Sequence, residues 1–295
     1  MNQEIQRHFS AFGGELNKYF HFHKGYRFLD LTLGDGGHTE EALDQGCQVV
    51  SFDLDPEAIQ RAKTFLEPKY EPLIIENFQI FEQTIPENAP WVIVQTNFIN
   101  LAESFKKLNL ALFDGVLVDL GPSQFQILSE DRGFSFDSDS LLDMRLDKNL
   151  AVTAKDLVNA LNEGELRRLL ELGDETYAKA IARIIVSQRQ ITPIETGKQL
   201  STLVSKIKHG PRGKIHPATQ TFMALRMAVN LERENLEELL FQLPGVLKPQ
   251  GVVGIISFHS GEDRLVKHFF QSTENKQFCV INQKPILPSK QELQI

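Results

Sequence analysis

The sequence predicts an α/β protein built on a parallel sheet, with a helical segment set into it. Two observations carry that prediction. Apolar, strand-like runs alternate with helical stretches from Arg27 to Leu120, the pattern of parallel strands joined by crossover helices. From Ser138 to about Ser205 only helical periodicity remains, and sheet character returns at Val252–Phe258. With 295 residues, 41% hydrophobic and 24% charged, the chain is an ordinary globular protein, enough for one large domain or two smaller ones.

The elements follow in order. Met1–Gly25 carries Phe9, Phe12, Tyr19, Phe20 and Phe22 and reads as a helix or arm packed on the core. Its histidines, His8, His21 and His23, have no cysteine or acidic cluster around them. They read as surface histidines, and no metal is expected. Arg27–Thr32 is strand one, Thr39–Gln45 a helix and Gln48–Asp53 strand two. Asp55-Pro56 opens a helix that runs to about Glu67, with proline in its first turn. Pro68–Pro90, with four prolines and a Leu73-Ile74-Ile75 patch, reads as irregular, with room for one short element. Trp91–Thr96 is strand three and Ser104–Leu108 is helical. Phe113–Leu120 is apolar almost throughout, as strands buried on both faces are. Helices are expected at Ala154–Leu161, Glu163–Leu172 and Tyr177–Gln188. The expected division is a core in two parts, residues 1–128 and 209–295, around a helical insert, 129–208.

Strand one runs into Gly34, Gly36 and Gly37, a turn opening a helix, where backbone N–H groups and the lack of side chains let a ligand come close. Strand two ends in Asp53, placed to accept the two ribose hydroxyls of an adenosine. Gly34-x-Gly36-Gly37 departs from the dinucleotide spacing G-x-G-x-x-G and suits S-adenosylmethionine, which has no pyrophosphate. Gly34–His38, Asp53, Phe98 and Asp119 all fall where parallel strands end, the usual place for a ligand.

Three further stretches admit two readings each. Asp119–Gln126, DLGPSQFQ, resembles the acidic residue, proline turn and aromatic with which amino methyltransferases hold an exocyclic NH₂; it equally suits a strand ending in an Asx turn. Lys208–Phe222 concentrates Lys208, His209, Arg212, Lys214 and His216, either a phosphate contact or a solvated loop. Ile256–Arg264 places His259, Ser260, Glu262 and Asp263 after a strand; without a G-x-S-x-G elbow it makes no hydrolase triad, and acids there also suit a helix start. Net charge is −8, which argues against a nonspecific nucleic-acid coat but not against a local basic site. Two cysteines make no disulfide framework, no apolar run is long enough to span a membrane, and the default location is the cytoplasm.

Taken in order, DLTLGDGGHT, DRGFSFD, LLDMRLD, HPATQTFMALRMAVN and ISFHSGEDRLVK resemble the bacterial RsmH (MraW) family over roughly Phe28–Lys284. The resemblance implies a Rossmann-like, S-adenosylmethionine-dependent methyltransferase core with an inserted helical substrate-recognition domain. Its implied activity is methylation of N4 of a cytidine in the decoding region of 16S rRNA, within the small ribosomal subunit. It further implies that Gly34, Gly36, Gly37 and His38 line the cofactor, Asp53 takes the ribose, Phe98 lies by the adenine, and Asp119 and Gln126 complete the pocket. Asp119 is the first candidate for orienting the amine, with Ser123 and His259 behind it. Arg132, Arg145, Lys208, Arg212 and Lys214 are the candidate RNA contacts. A homodimer stays open. So do an amino methyltransferase of another RNA or DNA and a non-catalytic, cofactor-binding ribosome-assembly factor. This chain lacks the family's His-x-x-Pro-Val-Leu-Leu opening and its basic tail, and reads Gly121-Pro122-Ser123-Gln124-Phe125-Gln126 where the family has G-V-S-S-x-Q. Weaker RNA binding than that of a tailed relative is expected.

Overall fold

The computed structural model describes residues 10–76, 85–86, 88–128, 132–208, 216–272, 277–282 and 284–288. His8, Phe9, His209, Arg212 and Lys214 lie outside the described residues. The chain forms two compact units, Met1–Gly121 with Asn235–Ile295, and Pro122–Glu234.

The first unit holds one six-stranded sheet: β1 (Arg27–Asp30), β2 (Gln48–Asp53), β3 (Leu73–Ile75), β4 (Trp91–Gln95), β5 (Phe113–Asp119) and β6 (Leu247–Ile256). The order is β3-β4-β2-β1-β5-β6 and every neighbouring pair is parallel. Leu29, Val49, Val50, Val92, Ile93, Val116, Leu117 and Val118 are all buried, which is why these strands read as continuous apolar runs. Each large side chain so buried is worth about 1.5–3 kcal/mol relative to exposure. From β1 the sheet grows through β2 and β4 on one side and through β5 and β6 on the other. Strand order therefore reverses between β1 and β5, and a crevice opens beyond their carboxyl ends.

Helices α1 (Asn17–Phe20), α2 (Gly37–Asp44), α3 (Pro56–Leu66) and α4 (Leu101–Lys107) belong to this unit. The α3 start is set locally: the Asp55 side chain accepts from Glu57 N at 3.0 Å and Pro56 follows it. The aromatic arm packs as its composition implied. Phe20 meets Phe28 edge to face, with centroids 5.2 Å apart, and lies so close to β5 and β6 that a Cβ on Gly115 or Gly254 would fall 2.7 or 2.9 Å from its ring.

One strand expectation is filled in and another changes. Within the stretch read as irregular, Leu73–Ile75 forms β3, an edge strand on β4. The last strand begins at Leu247 rather than Val252, because Pro249, Gln250 and Gly251 form a bulge inside it. Its register against β5 jumps from Phe113↔Leu247 to Gly115↔Val252, and Gln250 takes φ +68°. Lys248 anchors the bulge, with Nζ 2.8 Å from Asp114 Oδ2.

The second unit contains α5 (Gln124–Leu128), α6 (Ala154–Ala160), α7 (Glu163–Leu172), α8 (Ala178–Arg189), α9 (Gly197–Ile207) and α10 (Thr219–Val229). Helix α11 (Glu232–Gln242) begins in it and runs into the first unit, which also holds α12 (Ser260–Gln271). Helices α6, α7 and α9 each start with a capping box, Thr153/Asp156, Asn162/Glu165 and Thr196/Gln199. Among the described residues of this unit, sheet pairing is limited to the isolated bridge Leu141↔Thr196. The bounds differ from the expected 129–208. The unit reaches Glu234 because α10 puts Phe222, Leu225 and Val229 into the same apolar core as Leu166, Ile181 and Leu200.

Candidate functional site

The site candidates of the first unit gather at the carboxyl ends of β1, β2 and β5. The turn after β1 is held from several sides. Gly34 N donates to Asp53 Oδ2 at 2.8 Å, Gly36 N to the Leu33 carbonyl at 2.8 Å, and Arg61 Nε to Asp35 Oδ1 at 2.8 Å. The glycines have different reasons. Gly36 needs φ +79°, and a Cβ there would press on Leu66 and Ala62 of α3 at 3.1 and 3.3 Å. Over Gly34 a Cβ would meet nothing within 4 Å, so a ligand can approach the backbone at that point. A Cβ on Gly37 would strike Ser10 Oγ.

Beneath the turn runs a buried polar chain that sequence reasoning missed. Trp91 Nε1 donates to Ser51 Oγ at 3.1 Å, Ser51 and Thr39 hydroxyls lie 2.8 Å apart, and Thr39 Oγ1 donates to Asp30 Oδ2 at 2.7 Å. The Thr39 proton goes to Asp30, so the Ser51 proton must go to Thr39. One direction of donation thus ties β4, β2 and α2 to the end of β1. Burial pushes the Asp30 carboxyl above its usual range, opposed by nearby His38 and the Thr39 hydroxyl. Polar residues at Asp30 and Ser51 inside apolar runs were the only sequence signal.

His38 and Asp119 meet. Nε2 stands 3.5 Å from Asp119 Oδ2, with the imidazole almost wholly buried. His38 Nδ1 and Asp119 Oδ1 are buried and have no hydrogen-bond partner among the described residues. Burial pulls the imidazole pKa down, but the carboxylates of Asp119, Asp30 and Glu41 outweigh it and the net shift is upward. Asp119 N is fixed by the Thr32 hydroxyl at 2.7 Å. An open backbone at Gly34, a carboxylate at Asp53 and unpartnered polar atoms on His38 and Asp119 suit a nucleoside cofactor with a cationic end.

Asp53 does two things. Its oxygens accept from Gly34 N and from Asp55 N, both at 2.8 Å, which leaves lone pairs for ribose hydroxyls. Burial raises its pKa to about 6, against the lowering effect of the Asp55 and Gly34 amides. Because the folded value lies above the unfolded 3.8, this group favours the fold at low pH, and that contribution is lost as pH rises through about 6. Ligand binding runs the other way, since the ionised form is the better acceptor. We expect cofactor affinity to fall about tenfold per pH unit below pH 6, and Asp53→Asn to remove that component while weakening affinity at pH 7.5 by about 1.5–3 kcal/mol. Calorimetric titration with S-adenosylhomocysteine at several pH values checks this; equal pH profiles for both proteins would take Asp53 out of the site.

The remaining candidates fall elsewhere. Phe98 opens a single 3₁₀ turn, Phe98–Asn100, half-buried against the sheet core. Ser123 and Gln126 are in the second unit and bond each other, Ser123 N to Gln126 Oε1 at 2.9 Å and Gln126 N to Ser123 Oγ at 3.3 Å, a reciprocal cap on α5. His259 caps α12, its Nδ1 accepting from Gly261 N at 3.2 Å and Glu262 N at 3.4 Å, with Nε2 3.2 Å from Glu262 Oε1. Both Ser123 and His259 thus serve as local helix caps. Three candidate RNA contacts have partners within the fold. Arg132 is buried and donates to the Leu146 carbonyl at 3.3 Å. Arg145 grips both oxygens of Asp143 and the carbonyls of Lys148 and Leu150. Lys208 is held by Glu175, Pro217 and Gln220. Arg145 and Lys208 thus serve the fold, because acceptors of the same unit surround them.

A parallel α/β sheet with a glycine turn after β1, a carboxylate ending β2 and a polar pair at the switch point places the chain in the class of open α/β proteins whose ligand crevice lies at the strand ends. The sequence model described as the MraW methylase family matches residues 5–295, and the chain belongs to that family. It is 38% identical over 299 aligned positions to ribosomal RNA small subunit methyltransferase H of Carboxydothermus hydrogenoformans, covering 95% of this chain and 90% of that one. The protein of the same name from Syntrophotalea carbinolica is 37% identical, with 97% and 89% covered. A chain from Streptococcus mutans solved in complex with SAH covers 41% of this chain and 55% of its own at 18% identity, with a TM-score of 0.27, a likeness too slight to carry an argument.

Proposed function

We propose that this methyltransferase uses S-adenosylmethionine to methylate N4 of a cytidine in the decoding region of 16S rRNA in the small ribosomal subunit. The observation that carries the reading is the juxtaposition, at the switch point, of the open Gly34 backbone, Asp53 and the His38–Asp119 pair. Family membership and the names of the relatives support the substrate. The cofactor would supply an electrophilic methyl group on a sulfonium. The chain's own residues do the rest: Asp53 accepts the ribose hydroxyls, Asp119 orients the exocyclic amine and takes up its proton, and His38 holds Asp119. The helical unit is the substrate-recognition domain in this reading. Its charges sum to +1 with the histidines neutral, whereas those of the sheet unit sum to −9, so a polyanion is repelled least by the helical unit.

Incubation with labelled S-adenosylmethionine and small subunits from a strain lacking the family member tests this. Incorporation should appear as N4-methylcytidine at one position in a mass-spectrometric nucleoside map. Binding of S-adenosylhomocysteine without any incorporation would turn the reading into a non-catalytic assembly factor.

A further inference from the structure

We propose that Phe258 is the platform on which the target pyrimidine stacks while Asp119 holds its amino group; this rests on the function proposed above. Amino-group methylation needs the base held flat beside the acceptor for its N–H. The Asp119–Gln126 stretch offers no such ring in the sheet unit, because Phe125 lies on α5 in the other unit. Register supplies one instead. Asp119 pairs with Ile256, and Leu120 N donates to the Ile256 carbonyl at 3.0 Å, so the chain two residues on, at Phe258, runs beside Gly121. The Phe258 ring edge lies 3.7 Å from where a Cβ of Gly121 would stand, and Gly121, at φ +91°, has none.

An exposed phenylalanine alone says little. Here the residue is 62% exposed while its backbone is clamped: Phe258 N donates to Glu262 Oε2 at 2.9 Å, and Glu262 is itself buried and stands against His259. The His259 cap and the Glu262 carboxylate therefore fix the backbone that carries this exposed residue, just beyond the end of β6. On the neighbouring strand Asp119 keeps a buried oxygen, Oδ1, with no partner among the described residues. A flat apolar face and an unsatisfied acceptor on adjacent strand ends match a base bearing an exocyclic amine.

Stacking on an aromatic ring is worth enough that Phe258→Ala and Phe258→Leu should each lower kcat/KM for small subunits about 5- to 150-fold. Phe258→Tyr and Phe258→Trp should stay within a few-fold of wild type, and S-adenosylhomocysteine affinity should be unchanged in all four. Phe258→Trp adds a direct readout, because the native Trp91 is fully buried. Its fluorescence should be quenched by a short single-stranded RNA carrying one cytidine and not by the same RNA with an abasic residue there. Full activity of the leucine variant, or equal quenching by both RNAs, overturns the inference. If wild type binds S-adenosylhomocysteine but never methylates, the proposed function fails instead.

Discussion

Replacing Asp119 with alanine is expected to lower the single-turnover rate of methyl transfer by about 10²- to 10⁴-fold, the range for a positioned proton acceptor. The chain at this point is rigid. Asp119 closes β5, pairs with Ile256 and receives the Thr32 hydroxyl at its own N–H, where that hydroxyl acts as acceptor at 2.7 Å. Of its oxygens, Oδ2 faces His38 and Oδ1 is buried with no partner among the described residues. The variant should fold, because the Asp119 carboxylate is the largest of the three that raise the His38 pKa against burial; without it the buried imidazole becomes neutral more easily. The linkage has a definite sign. A His38 pKa raised in the fold stabilises fully below the unfolded value near 6.5, and that stability is lost as pH rises through the folded value. Asp119→Ala should flatten this part of the stability–pH curve, and Asp119→Asn, which keeps an acceptor oxygen, should be less impaired in rate than alanine. A folded alanine variant with wild-type single-turnover rate would move the acceptor elsewhere.

How much could be read beforehand depended on whether the cause was local. Strands β1, β2, β4 and β5 were legible because both faces are buried and the apolar runs are continuous. Strand β3 was not, because only Ile75 of its three residues is fully buried and prolines surround it. The start of β6 was hidden because Pro249 and Gly251 signal a turn, and a bulge is a turn kept inside a ladder. The far edge of the helical unit was hidden because an apolar helix face such as that of α10 does not declare which core it joins. The places of Gly34 and Asp53 at strand ends were legible; the hydrogen bond that joins them was not. The partners of Lys208 were hidden for another reason. A basic side chain in a glycine- and proline-rich stretch looks free until its acceptor is found, and the Lys208 acceptor, Glu175, is 33 positions away.

That pair gives the second large effect. Glu175→Ala is expected to destabilise the protein by about 3–5 kcal/mol, the cost of leaving a buried charge without its partner. The Glu175 side chain is fully buried and every direction around it is used: Oε2 accepts from Lys208 Nζ at 2.8 Å and Thr221 Oγ1 at 2.8 Å, and Oε1 from Tyr177 N at 3.0 Å. Lys208, only 14% exposed, gives its other protons to the Pro217 carbonyl at 2.9 Å and Gln220 Oε1 at 3.2 Å. Three donors meet three acceptors, so none remains for a phosphate. The pair joins α10, through Thr221, to the residues that follow α7, and its loss should loosen the helical unit as a whole. Lys208→Met alone should also be costly, since it strands the Glu175 carboxylate. Glu175→Leu with Lys208→Met should recover much of the stability, because removing both charges leaves neither one unpaired. Urea unfolding of the three variants measures this. Near-wild-type stability of Lys208→Met, together with a raised KM for RNA, would instead return Lys208 to the surface as a phosphate contact.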